Sequence, residues 1–395
     1  MLSSISGNQW LQLLEKPFAL NCADCGEFLT FDFRPFPLPM QCVDVVRMGV
    51  SSLREKMESL VSGSEFPGMQ RFVVQLEKLL GCVEPATASD NAAWAFYQST
   101  ARQWLFYLQA LCRIYKKVGS KKRFKALRET VKELEDRLGA IDYWDAWVKL
   151  CEPVKELPPA MLETMLQHRS DEVAALQQVL ENGAWLDKDC PALGVILEEL
   201  EAEDWEKPGK DREKIAEFLC EELEEIEQKY SAGEFDFAQL EDGVHEFRRQ
   251  LRWISIYGHA LHGLLQTDAE VKPEAFHEKY MTESVLKSPF NELPPAPAKG
   301  KVLEVQLGDF YALSWLISQI GKIKDQGQKI EALHHVAEES GVVQDAALEK
   351  CFAAMIPAAE QTMQEIPALV APMVEAFLVE ERILARMRQT LAACV

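Results

Sequence analysis

Long apolar runs are missing from this sequence. No stretch of its 395 residues reaches the roughly 18 uninterrupted apolar positions that a membrane-spanning helix needs. Positive charge is also scarce: 42 Lys and Arg stand against 63 Asp and Glu, for a net charge of -21. That balance excludes a general, and equally a sequence-specific, nucleic-acid binder, because affinity for phosphates requires clustered cations, so any anion site must be local. The opening MLSSISGNQWLQLLEKPF lacks a basic leader followed by an apolar core, and the expectation is a cytoplasmic protein. Alternating strand-like runs are lacking, as are GxGxxG, P-loop and GxSxG strings in a usable context. The ten cysteines show no framework spacing and read as reduced, mostly buried thiols.

What is present is helical periodicity. Apolar residues recur at three and four over about 42–62, 66–81, 90–118, 121–150, 160–181, 211–230, 236–266, 309–339 and 345–394, which predicts an all-α fold. Residues 27–41, EFLTFDFRPFPLPMQ, carry three prolines and read as an extended segment, so 1–42 is expected to be irregular. Breaks are expected at Pro153–Pro159, at Lys207-Pro208-Gly209, and over the loop 288–300, SPFNELPPAPAKG.

Charge is distributed unevenly. Residues 198–227 hold fourteen acidic side chains against four basic ones, a solvated helical face. Residues 113–128, RIYKKVGSKKRFKALR, carry eight basic side chains and no acidic one, and read as a helix, a turn at Val118-Gly119-Ser120, and a second helix. The first turn of that second helix would offer N–H groups to an anion. The competing explanation is a positive hairpin that balances the acidic segment.

The most informative segment is VHEFRRQLRWISIYGHALHG, residues 244–263. At about 100° per residue, His245, Arg248, Arg252, Ser255, His259 and His262 share one side of a helix, and Phe247, Leu251, Ile254, Leu261 and Leu265 occupy the other. The apolar stripe is expected to pack inward and the basic stripe to stay open.

His245, Arg248, Arg249 and Arg252 resemble the signature of the CHAD family, the conserved histidine α-helical domain. That signature is a His followed by Arg at the third position, a basic residue at the fourth and Lys or Arg at the seventh. A second hallmark of the family, a helix ending in a Leu-Gly pair followed shortly by Asp, is resembled by LISQIGKIKDQGQKIEALHH at 316–335, with Gly321 and Asp325, and again by Leu138-Gly139 and Asp142. The resemblance implies two similar antiparallel helical bundles in a pseudo-twofold repeat, here 43–185 and 186–395. The first-half counterpart of the His-Arg helix is degenerate. Either VDVVRMGVSSLR at 43–54 fills it, with Asp44 in place of the His and Arg47 and Arg54 retained, or 94–108 does, with only Arg102 basic.

Inorganic polyphosphate is the anion the resemblance implies, held without catalysis. Its repeating oxygens suit Arg, which bonds two at once, and Lys, which acts as a point charge. The expected binding residues are His245, Arg248, Arg249 and Arg252, with Lys322 and Lys324 as second-half neighbours and Lys116, Lys117, Lys121, Lys122, Arg123 and Lys125 as contributors. His245 gains charge as pH falls toward about 6, which would strengthen binding. Such a protein would be recruited to polyphosphate granules. The alternative is a diverged helical scaffold whose acidic helix and basic hairpin contact partner proteins.

Other strings carry less. Glu225, Glu227 and Lys229 match the ExExK string of CYTH-type triphosphatases, which works on a strand and here falls in a helical pattern. Cys22, Cys25 and Cys42 make only part of a zinc set. His259 with His262, and His334 with His335, lack a carboxylate motif beside them. No catalytic residue, metal or cofactor is expected.

Overall fold

The computed structural model describes residues 50–394 apart from 269, 299, 357 and 358. The irregular segment expected over 1–42, Cys22, Cys25 and Cys42, and Asp44 and Arg47 lie outside the described residues. Within them the chain is all-α. The first helices are α1 (Val50–Gly63), α2 (Pro67–Thr87), α3 (Ala92–Tyr97), α4 (Ala101–Val118), α5 (Lys121–Cys151), α6 (Pro159–Asn182), α7 (Pro191–Glu201) and α8 (Pro208–Ser231). A π turn, Leu240–His245, leads into α9 (Glu246–Ala260), followed by α10 (Glu283–Leu286). The chain ends with α11 (Leu307–Glu339), α12 (Ala346–Met355), α13 (Ala359–Glu375) and α14 (Ile383–Ala393).

Local chemistry sets the starts. Proline opens α2, α6, α7 and α8, where its missing N–H is one the first turn leaves unbonded anyway and its fixed φ suits a helix. The breaks expected at Pro159 and Pro208 are therefore helix starts. Asn91 caps α3 by accepting from the Trp94 N–H at 3.0 Å. Asp345 caps α12 by accepting from Ala347 and Leu348, both at 2.9 Å.

Three differences from the sequence reading have physical causes. The expected 90–118 helix is two, because Ser99 turns its hydroxyl onto the Phe96 carbonyl at 2.6 Å and accepts from the Ala101 N–H, bonds that compete with the ladder. Helix α7 was hidden between short breaks, yet its Leu193, Ile196, Leu197 and Leu200 are buried. Two parallel four-residue strands, β1 (Leu265–Asp268) and β2 (Leu303–Gln306), pair from Leu265 opposite Leu303 to Asp268 opposite Gln306. They flank the 288–300 loop and are too short to show alternation.

One core runs the length of the described chain. An aromatic knot of Phe72, Tyr115, Phe124 and Trp205, with ring centroids 5.3–5.9 Å apart, packs α2, α4, α5 and the segment after α7 together. Each such ring contributes about 1.5–3 kcal/mol by leaving water. A satellite core joins Trp147, Met161 and Met165 of α5 and α6 to Leu333 and Phe352 of α11 and α12. The seven described cysteines are free, and five of them are buried.

The π turn before α9 depends on glycine. A Cβ on Gly243 would lie 1.8 Å from the Asp236 carbonyl oxygen, a backbone contact that cannot be relieved by turning a side chain. Gly243→Ala should therefore destabilise the fold by roughly 2–4 kcal/mol, read as a lower urea midpoint; a midpoint equal to that of the unmodified chain would show that the turn opens at no expense.

Candidate anion-binding cleft

Four helices enclose a cleft of about 300 Å³, and each supplies one stripe at three- and four-residue spacing. From α4 come Arg102, Phe106, Gln109 and Arg113; from α5, Arg128, Lys132, Glu135, Asp136 and Gly139. Helix α8 gives Glu222, Glu225, Ile226 and Lys229, and α9 gives Glu246, Arg249, Gln250, Arg252, Trp253 and Ile256. Such spacing places side chains one above another on a single helix face. The walls carry seven cations against five carboxylates, so two positive charges are left over in a chain of net charge -21.

Every carboxylate has a cation beside it. Glu135 accepts from Arg102 Nε at 3.1 Å, and Asp136 pairs with Lys132, Nζ to Oδ1 2.6 Å. Glu222 takes Arg113 at 2.9 Å and the Tyr257 hydroxyl at 2.7 Å. Glu225 pairs with Lys229 at 2.7 Å and Glu246 with Arg249. The pairs in contact with water, Lys132–Asp136, Lys229–Glu225 and Arg249–Glu246, are worth only about 0–1 kcal/mol each, so a stronger anion can replace those carboxylates. The Arg128 Nε is buried without a hydrogen-bond partner among the described residues.

Aromatic rings let the guanidinium groups gather. Arg102 and Arg252 both lie over Phe106, 5.6 and 6.0 Å from its centroid, and Arg113 lies over Trp253 at 4.6 Å. Burial drives the Glu135 carboxyl above its ordinary range, with Arg102 opposing the shift. Burial does the same to Asp142, again against Arg102, which donates to it at 2.8 Å. The Asp after Leu138-Gly139 thus holds an arginine in place.

Of the twelve residues expected to bind polyphosphate, the structure brings Arg249 and Arg252 into the cleft. The others lie elsewhere. The basic arc is not open to solvent along α9 itself, because α4, α8 and α11 all pack on this helix; His262, just past its end, is exposed. His245, Arg252 and His259 are 7%, 7% and 9% exposed, and His245 Nδ1 lies 4.0 Å from Glu241. The Arg248 Nε donates to the Ile317 carbonyl of α11 at 3.0 Å, and its guanidinium lies where a Cβ on Gly321 would stand. That glycine lies inside α11, not at a helix end, and admits the close approach of the guanidinium. Lys322 is exposed and Lys324 buried.

The basic hairpin lies against the acidic segment. Lys117 pairs with Glu221, and Arg123 with Glu203 and, at 2.9 Å, with Glu199. Lys125 pairs with Glu129 at 3.7 Å on its own helix. Lys116, Lys121 and Lys122 are exposed. Only the two ends of the basic run, Arg113 and Arg128, reach the cleft.

The Glu225 and Glu227 of the ExExK string part company on α8. Glu225 faces the cleft, whereas Glu227 pairs with Arg388 of α14 at 3.3 Å; residues two apart on a helix point to different sides. Among the described residues no group of three His, Cys, Asp or Glu could hold a metal ion, and no helix is long and apolar enough to cross a membrane. His259 Nε2 bonds the Phe290 carbonyl at 2.9 Å, and burial lowers its pKa.

Arg102, Lys132 and Lys229 belong to the cleft without having been singled out as binding residues. Their signal was a polar stripe crossing an apolar helix, as in Arg102, Gln109 and Arg113 of α4, and not a block of charge. The chain matches no family model, no curated protein and no solved structure.

Proposed function

We propose that the protein binds inorganic polyphosphate, without catalysis, in the cleft between α4, α5, α8 and α9. The observation that carries this reading is the convergence of seven cations from four helices in a chain that is otherwise strongly acidic. Arg102, Arg128 and Arg252 offer several N–H donors each to phosphate oxygens, and Lys132, Lys229 and Arg249 add charge nearer the rim. Recruitment to polyphosphate granules in the cytoplasm would follow from such binding.

A paired arrangement supports the two-bundle reading. Arg102 of α4 meets α5 at the Leu138-Gly139…Asp142 marker, and Arg248 of α9 meets α11 at Gly321, four residues before Asp325. On this reading 94–108, not 43–54, is the first-half counterpart of the His-Arg helix, and the halves 43–185 and 186–395 contribute two walls each to the cleft. The scaffold alternative draws on Lys116, Lys121 and Lys122, which stand exposed outside the cleft.

Titration of long-chain polyphosphate at 50 and 200 mM salt tests the proposal. With about four phosphate contacts and a slope of roughly -0.7 per contact, affinity should fall on the order of 50-fold between the two conditions. Absence of binding at the lower salt, or affinity indifferent to salt, would rule out the cleft as a polyphosphate site and leave the scaffold.

A further inference from the structure

Glu135 sits where an anion site should exclude a carboxylate. It lines the cleft and is 7% exposed. Its Oε1 accepts from Arg102 at 3.1 Å, and among the described residues its Oε2 has only Gln109, at 3.5 Å. An ionised carboxylate has about four acceptor positions and no donor, so Glu135 keeps acceptor capacity that faces the cleft. Any phosphate oxygen meeting it must bring a proton, since two bare oxyanions repel.

Phosphates differ in whether they can. The inner phosphates of a chain each have one strongly acidic hydroxyl and carry no proton near neutral pH. A terminal phosphate has a second ionisation near 6, and keeps or regains its proton at small expense. Resting on the polyphosphate reading above, we infer that Glu135 makes the cleft a site for the terminal phosphate of a linear chain, which donates one P–OH hydrogen bond to the carboxylate while its remaining oxygens accept from Arg102, Arg128 and Arg252. The proton arrives on the phosphate and lies between its oxygen and the carboxylate; an inner phosphate has none to bring. Burial raises the Glu135 pKa and Arg102 opposes the shift, so the carboxylate is a strong acceptor for that proton. The charged neighbours in the cleft are Arg102 and Arg113 of α4, Arg128, Lys132 and Asp136 on its own helix, Glu222, Glu225 and Lys229 of α8, and Glu246, Arg249 and Arg252 of α9. Every one of these carboxylates is paired with a cation, as Glu135 is with Arg102, and Glu135 is the buried one among them.

Linear tripolyphosphate and cyclic trimetaphosphate separate the two kinds of phosphate, since the ring has no terminal group. Calorimetric titration of the full chain should show a preference for the linear form of roughly tenfold or more. In Glu135→Gln the amide donates to any phosphate oxygen, and the preference should shrink to roughly threefold or less. If Glu135 acted only through its charge, removing it would favour the more highly charged linear form and the preference would grow. That result, or an unchanged preference, overturns the inference.

A second measurement needs no variant. At pH 8, titration of the unmodified chain in buffers of different ionisation enthalpy should show uptake of about one proton with linear tripolyphosphate and none with the ring. Linear binding without proton uptake also overturns the inference. Orthophosphate, run alongside, should bind more weakly than the linear chain; equal affinity would replace a chain end with a lone phosphate and overturn the assignment to a chain. Absence of binding by every phosphate would remove the polyphosphate reading itself, whereas equal, salt-sensitive binding of line and ring removes only the role of Glu135.

Discussion

Replacing Asp211 with alanine should destabilise the fold by about 3–5 kcal/mol, the largest loss expected from any single substitution away from the cleft. Asp211 opens α8 and is 1% exposed. It accepts from Arg71 Nη1 of α2 at 2.7 Å and from the Tyr115 hydroxyl of α4 at 2.7 Å. Arg71 also donates to the Tyr115 oxygen at 2.6 Å and, through Nε, to the Leu261 carbonyl after α9 at 3.2 Å. Burial alone would lower the Arg71 pKa, and Tyr115 and Asp211 together outweigh it and hold the guanidinium above its ordinary value. Without Asp211 that cation stays buried and loses its countercharge. Arg71→Met combined with Asp211→Leu should be milder, since it removes both charges and keeps apolar volume, although it strands the Tyr115 hydroxyl. Urea unfolding of both variants is the measurement. If the double substitution is the more damaging, the network contributes geometry and not compensation of charge.

The same network marks the limit of what the sequence made legible. Helix starts were legible because proline and capping residues act on their own next few neighbours, as at Pro159 and Asn91. The orientation of α9 was not. Periodicity separates an apolar stripe from a polar one, but it is silent on whether a second helix covers the polar stripe. Here α11 does so, using Gly321 to make room for Arg248. The Arg71–Asp211 pair joins positions 140 apart. Likewise Asp309, fully buried, accepts from His277 at 2.8 Å and from Arg386 at 3.0 Å, and nothing local signals either partner. The charge block at 113–128 attracted attention through its density. The density proves to match Glu199, Glu203 and Glu221 outside the cleft, while the cleft draws single cations from four separated stripes.

That distinction yields the largest functional effect expected. Arg128→Ala, Lys132→Ala and Arg249→Ala together remove three of the seven cleft cations, and so turn a surplus of two positive charges into a deficit of one. Each lost charge-assisted contact weakens phosphate binding by about 1.5–3 kcal/mol when taken alone. The released Asp136 and Glu246 add repulsion, so polyphosphate affinity should fall at least about 100-fold even if the losses overlap. The fold should survive, because none of the three side chains is fully buried, and the helical circular-dichroism signal checks this. Lys116→Ala, Lys121→Ala and Lys122→Ala remove the same charge from the exposed hairpin and should change affinity by no more than about threefold, the effect of screened charges at a distance. Arg248→Ala makes a third contrast. Its guanidinium serves the Ile317 carbonyl, so stability should fall by about 1–3 kcal/mol while affinity changes little. If the hairpin variant lost as much binding as the cleft variant, polyphosphate would be following overall charge density, and the convergence of the four helices would have no part in holding it.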